Sequence, residues 1–442
     1  MFGIMIAAAA LSSTPTAQPL FVDTRAGGGE RYSPATVAQH EVDLAAGLLD
    51  ADSLRIDLPT GTSLVARRTR EFRHGEAGRS WVGSSPDGDV VIARRGDAVA
   101  GLIYAGGEAW ELLGVEGRAT LARLDQAQFP ECAGTLEALA PRAGAISSSS
   151  SCTPPWCNPG DQNRARRPVS VPDPGSRVPG PGSLVAVPRP PSRSELGATP
   201  RADVMVLYTA QAQAGAGGQA QVEALAQAAV DLTNVAYVNS EIDLELALVH
   251  VGLATRSDTG DISSDLGWLA GDADVAAQRD AVGADLTALL VNDGGGSCGV
   301  GYVQRNPGPG FASSAFQVTV RGCAVGNLSL AHEFGHNMGA EHNPENASVW
   351  PNGGSYPWSF GHWHNGIYRT VMSYQSPCGA CTRHPYFSNA AVSFQNLPTG
   401  VADLRENART LGATAIYVTN FRPTLLFGDG FETGDTSAWS VP

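Results

Sequence analysis

The sequence predicts an α/β (α+β) domain with a mixed, twisted sheet and a long helix bearing a histidine motif, preceded by a β-rich region. Three observations predict it. Before residue 146, short apolar runs such as Ser53–Leu58, Ser63–Ala66, Asp89–Ala93 and Val99–Tyr104 are punctuated by Gly, Asp and Pro, the pattern of strands and turns. From 146 to 199 the chain is rich in Ser, Pro, Gly and Arg, a composition that builds no core. After Pro200, apolar runs alternate with segments of helical spacing, as in a sheet with helices packed on it.

Taken in order, residues 1–17 read as an export signal. Phe2–Leu11 (FGIMIAAAAL) is a short apolar stretch followed by small and polar residues, with cleavage expected near Ala17. The missing basic residues leave a misassigned start or a buried first strand as the competing readings. Residues 18–145 form the β-rich region, with some helix, and carry no catalytic motif. Residues 146–199 form an exposed linker with Arg164, Arg166 and Arg167, the kind of segment that proteases cut. Within 200–424, Val204–Tyr208, Leu244–Val251 and Leu286–Val291 read as buried strands. Gln219–Asn239 reads as a helix, with Val222, Leu225, Ala229, Leu232, Val235 and Ala236 at helical spacing; a shorter helix is expected near Val275–Val282. Residues 425–442 are an acidic, Gly-rich tail outside the core.

Composition narrows the function. With 43% hydrophobic and 16% charged residues over 442 positions, the chain can bury a sizeable core in two or three domains. All 29 basic residues are Arg. The net charge of −14 argues against a nucleic-acid partner, which needs a basic face. From Pro200 onward 10 Arg face 22 acids, so the acidic surface belongs to the second half. No run of 18 apolar residues exists, so no membrane span is expected. Seven cysteines are present, and the four of the second half, Cys298, Cys323, Cys378 and Cys381, fit two disulfides in an oxidising, extracellular setting. One pairing joins Cys298 to Cys323 and Cys378 to Cys381; the sequence does not choose it.

Chemistry concentrates in His332–His342, HEFGHNMGAEH. Residues four apart share a helix face, so His332 and His336 can aim two imidazoles at one ion. Asn327 is the expected N-cap. Leu330, Phe334 and Met338 form a separate stripe toward the core, and Glu333 is angled toward the metal without having to bind it. Gly339 can take the left-handed conformation that ends a helix, letting the chain return His342 as a third ligand. Three protein ligands leave a coordination position open, as a catalytic zinc site requires. Chance assembly of the whole pattern is about 1 in 10⁵ per chain, so a structural coincidence is set aside.

The arrangement H-E-x-x-H-x-x-G-x-x-H resembles the motif of the metzincin metallopeptidases. That resemblance implies one catalytic zinc on His332, His336 and His342, with Glu333 as general base. It also implies a Met-containing turn, for which Tyr368–Tyr374 (YRTVMSY) offers Met372, and a metal-side tyrosine, for which it offers Tyr374. The bland alternatives are a core methionine and an ordinary buried tyrosine. The opening ADVMVLYT, the following helix and the TVMSY turn are similar to bacterial reprolysin-like enzymes, including the peptidyl-Asp metallopeptidases, over about residues 200–424. Reprolysins usually carry Asp after the third histidine; this chain has Asn343.

The function expected is therefore a secreted zinc metalloendopeptidase made as a zymogen, acting on protein or peptide substrates and monomeric after maturation. Calcium finds no supporting motif. The alternative is a non-catalytic, zinc-stabilised surface or adhesion protein on the same scaffold; retention of Glu333 speaks against it. Gly299–Val303 (GVGYV) reads equally as a plain Gly-rich strand or as an edge on which an extended peptide pairs. His362 and His364 read as surface or loop histidines rather than a second metal site. Of Cys132, Cys152 and Cys157, the last two can pair and leave one thiol; a free thiolate can block the metal in the precursor, though an inhibitory or folding-assisting region without such a cysteine is the simpler expectation. No Arg can be assigned to a specificity pocket, and cleavage preference stays open.

Overall fold

Strand alternation builds the first layer. In Gly88–Arg95, Val90 and Ile92 join one apolar cluster while Val91 and Ala93 join another, so both faces of the sheet are covered. The structure is a computed structural model that describes residues 17–137 and 199–422 apart from 29–32, 75–77, 87, 116 and 380. The expected export signal (but for residue 17), the linker with its arginines, Cys152, Cys157 and the acidic tail lie outside the described residues.

The N-terminal sheet has ten strands in the spatial order Gln18–Pro19, Ser53–Asp57, Ser63–His74, Gly78–Ser85, Gly88–Arg95, Ala98–Ala105, Glu108–Val115, Arg118–Leu124, Thr36–Leu44 and Phe21–Ala26. Every pairing is antiparallel except the first. The helix expected here amounts, among the described residues, to the short 3₁₀ turns Leu48–Asp50 and Gln126–Gln128.

The second sheet is mixed. Its order is Thr135–Glu137, Gly299–Val303, Phe316–Val320, Leu286–Val291, Arg201–Tyr208 and Glu245–Leu253. The last four strands run parallel to one another, and Gly299–Val303 runs antiparallel to them. The fold is thus a mixed α/β structure with a β-rich N-terminal region.

The helix Gln219–Asn239 has the bounds its spacing predicts, but it is buried nearly all round rather than along one stripe. Its surroundings explain the difference: the second sheet covers one side, and the N-terminal strands Gly88–Arg95 and Ala98–Ala105 cover the other. One apolar core therefore runs through both halves. A polar network is sealed inside this junction. His74 Nδ1 accepts from Leu248 N at 3.3 Å, which leaves Nε2–H to donate to Asp231 Oδ1 at 2.6 Å; Ser80 donates to the other carboxylate oxygen, and Gln227 donates to Ser80 at 2.9 Å. Among the described residues no helix is long and apolar enough to cross a membrane.

Two disulfides brace the region around the histidine motif. Cys298–Cys323 ties the start of Gly299–Val303 to the turn before the histidine helix, and Cys378–Cys381 closes a short loop after residue 374.

Candidate metal centre

The histidine helix spans Ser329–Asn337, nine residues, so the long helix expected at the motif is a short one that Gly339 ends early. Gly339 adopts φ 87°; its N–H donates to His336 O at 2.9 Å, and Ala340 N–H donates to Gly335 O at 2.9 Å. A Cβ here would collide with the Ser355 side chain. Asn327 is not the N-cap. The helix opens from Leu328 at φ 54° with no side-chain cap. Asn327 instead donates to Ser329 Oγ at 3.1 Å and accepts Arg383 Nη1 on its carbonyl at 2.9 Å.

The reversal at Gly339 brings three imidazoles together. The Nε2 atoms of His336 and His342 lie 3.1 Å apart, and those of His342 and His332 3.2 Å apart. Tetrahedral zinc with bonds of about 2.0–2.1 Å needs ligand nitrogens about 3.3 Å apart, so the spacing fits that ion. The outer nitrogens are committed elsewhere: His332 Nδ1–H donates to Val371 O at 2.8 Å and His336 Nδ1–H to Ala340 O at 2.9 Å. His342 Nδ1 lies 3.0 Å from Glu341 Oε1. These contacts set the tautomers and leave each Nε2 lone pair free for a metal. Against the cost of burial, His342 and His336 hold the Glu341 carboxylate down at about 2.

The fourth member of the cluster comes from the N-terminal region. Cys132 Sγ lies 3.1 Å from His342 Nε2, and the donor atoms of Cys132, His332, His336 and His342 all lie within 4.8 Å of one another. Cys132 is the free cysteine of the described residues. Burial opposes its ionisation, but His342 and His332 outweigh it and hold the thiol well below its usual range. A Cys–His₃ set with deprotonated sulfur is a complete tetrahedral zinc donor set.

Glu333 is fully buried, and neither carboxylate oxygen has a hydrogen-bond partner among the described residues. Burial, and then the Cys132 sulfur, raise its pKa well above the ordinary range. Its approach to the sheet explains two glycines of Gly299–Val303. A Cβ on Gly299 would strike Glu333 Oε1, and one on Gly301 would come within 3.0 Å of the Glu333 carbonyl oxygen. That strand's open edge is taken by the chain itself, through parallel pairing with Thr135–Glu137.

Met372 is fully buried, with Sδ against Gly335 on the helix between the two histidines. Tyr374 packs against His342 with ring centroids 4.2 Å apart and planes tilted by 45°, and its hydroxyl is 2.8 Å from Cys132 Sγ. Asn343 sets that position: its Oδ1 accepts Tyr374 N–H at 3.0 Å, while its amide donates to Glu345 Oε2 at 2.9 Å and Asn346 Oδ1 at 2.7 Å. Aspartate, having no donor when ionised, cannot make the last two bonds. His362, expected at the surface or in a loop, lies in a loop but is buried, and is pushed down to about 3 by that burial, Arg405 and His364; His364 stands edge-on to it, ring centroids 5.0 Å apart. Neither joins a metal-type cluster among the described residues.

The fold and this cluster define a metal-dependent hydrolase site beside a sheet edge. Residues 198–388 match the family described as metallo-peptidase family M12, a reprolysin-type group, and the chain is a zinc metalloendopeptidase similar to that group over this region. It is 25% identical over 459 residues to a peptidyl-Asp metalloendopeptidase of Stenotrophomonas maltophilia, covering 96% of this chain and 97% of that one. A protein of the same name from Xanthomonas campestris pv. campestris is 26% identical, covering 93% of this chain and 88% of its own. One from Pseudomonas aeruginosa is 31% identical over 247 residues, which are 51% of this chain and 41% of that one.

Proposed function

We propose that the chain is a secreted, latent metzincin-type endopeptidase whose zinc is held by His332, His336 and His342 and masked in the precursor by Cys132. The observation that carries this reading is the Cys–His₃ cluster, three ligands from the motif and one from the N-terminal region. Residues 18–145 then serve as the pro-region, 146–199 as the linker that is cut, 200–424 as the catalytic domain, and 425–442 as a tail of unassigned role.

Zinc so held supplies a Lewis acid that polarises the scissile carbonyl and acidifies water. Glu333 takes the proton from the attacking water onto its unpartnered carboxylate and returns it to the leaving amine. Departure of Cys132 would remove one of the two influences that raise the Glu333 carboxyl, and would open a coordination position at the zinc. Tyr374, which donates to the Cys132 carbonyl at 3.2 Å, is placed to donate to the substrate's developing oxyanion once that segment leaves. The edge of Gly299–Val303 aligns an extended substrate by main-chain hydrogen bonds. The relatives are named for action at aspartate, and we extend cleavage beside aspartate to this chain.

Latency is tested on the zinc-loaded full-length precursor with an unfolded protein substrate. Wild type is expected to be silent until cut in the linker, whereas uncut Cys132→Ala is active. If uncut Cys132→Ala stays silent while cut wild type is active, the cysteine mask is lost and simple steric covering replaces it.

A further inference from the structure

The segment that masks the metal lies in the cleft as an extended peptide. Cys298 N–H donates to Glu131 O at 3.1 Å, Ala133 N–H donates to Gly299 O at 2.8 Å, and the pairing continues through Thr135–Glu137. One residue before the metal-facing Cys132, the Glu131 side chain enters a pocket at the Met turn. Its Oε1 accepts Gln375 N–H at 2.5 Å. Its Oε2 lies 3.5 Å from Arg383 Nη2 and 3.9 Å from Arg369 Nη1.

Both guanidiniums are buried, at 2% and 1% exposure. They share the Ser373 carbonyl, at 3.0 Å from Arg383 and 2.9 Å from Arg369, and Arg369 also reaches Asn327 Oδ1 at 3.4 Å. With the Arg383 bond to the Asn327 carbonyl, every one of these acceptors is neutral, and Nε of each arginine has no partner. Two like charges are thus sealed side by side, and among the described residues Glu131 supplies the carboxylate within ion-pair reach of either. Burial and the neighbouring Arg383 press Arg369 down to about 9, and Glu131 partly offsets this. When the segment leaves, an uncompensated buried pair remains, at a cost that another anion relieves.

We propose that Arg369 and Arg383 form the specificity pocket for an acidic side chain flanking the scissile bond, which Glu131 fills in the precursor. The inference rests on the peptidase reading above and names the residues behind its aspartate preference. A purely structural role does not require charge, since neutral donors would satisfy the Ser373 and Asn327 acceptors. Two guanidinium forks facing one carboxylate are instead suited to anion recognition. A substrate lacking the carboxylate leaves the pocket unpaired and is rejected.

The test uses zinc-loaded full-length protein matured by limited trypsin cleavage among the linker arginines. Three peptides differ only in carrying Asp, Asn or Ala beside the cleaved bond. Wild type is expected to prefer Asp over Asn by about 100-fold in kcat/KM. Arg369→Gln and Arg383→Gln are each expected to bring that ratio within about threefold of unity, a change that general loosening of the fold would not produce. A wild-type ratio near one, or a ratio unmoved in both variants, overturns the pocket while leaving the peptidase standing. If wild type cleaves none of the three, the peptidase reading fails and the inference falls with it. Because buried-arginine variants can misfold, Glu131→Gln in the intact precursor gives a second reading that leaves both arginines in place. Peptide-mapped alkylation of Cys132 by iodoacetamide should speed up about tenfold as the segment loosens; an unchanged rate overturns the proposal.

Discussion

At the residue scale, the site depends on side chains whose roles come from their neighbours. Asn343 is the clearest case, because it both donates and accepts. Asn343→Asp would set a second carboxylate beside Glu345, now 2.9 Å from the amide, and would lose two donated bonds. The expected cost is about 1–3 kcal/mol at pH 8, read as a lower melting temperature that recovers in part near pH 4. Equal stability at pH 8 would contradict the assigned bonds. The sequence showed that Asn343 departs from the related pattern but not what the amide does, since its partners Glu345, Asn346 and Tyr374 meet only in three dimensions. The His332–His342 motif was legible because the two proposed ligands and the proposed base share one helical turn and Gly339 marks the reversal. Cys132 was legible only in part: pairing of Cys152 with Cys157 would leave it as the one thiol, but its approach to the histidines exists only in three dimensions. Glu131, Arg369 and Arg383 were hidden, being far apart in sequence.

At the element scale, the histidine helix and the Met turn are fitted to each other without spare room. Gly335→Ala in a helix ordinarily gains about 1 kcal/mol. Here the added methyl would strike Met372 Sδ and approach a Phe387 ring carbon to 3.2 Å. Overpacking of a closed core costs about 1–3 kcal/mol, so the substitution should destabilise, and its cost should shrink when it is introduced into a Met372→Ala background. Thermal unfolding of the single and double variants checks this; a stabilised single variant would mean the turn yields freely. Elements with a strong period were legible, with the Gln219–Asn239 bounds matching and the Leu286–Val291 strand where its apolar run placed it. The three-residue strand Thr135–Glu137 was not, because its pairing comes from docking on Gly299–Val303 rather than from local propensity.

At the scale of the whole molecule, the N-terminal sheet and the second half share one core, so the proposed latency would be coupled to folding. The junction carries a titratable group. Asp89, on Gly88–Arg95, acts electrostatically on Tyr386 of the second half, and burial raises its carboxyl to about 6. A raised carboxyl favours the neutral acid in the folded precursor. Its contribution is therefore complete below the ordinary value near pH 4 and is lost as pH rises through about 6. Asp89→Asn stays neutral throughout. The precursor variant should melt with wild type at pH 4 and about 3–6 °C above it at pH 8; the same difference at both pH values would remove Asp89 from this role.

Glu333 is proposed to perform proton transfer beside a zinc held by the three histidines. The most direct measurement compares linker-cut wild type with Glu333→Gln for hydrolysis of an unfolded protein and for zinc content. Both are expected to hold about one zinc per chain, and the variant to lose activity by about 10²–10⁴-fold. A Glu333→Gln protein that holds its zinc and cleaves like wild type would contradict this role.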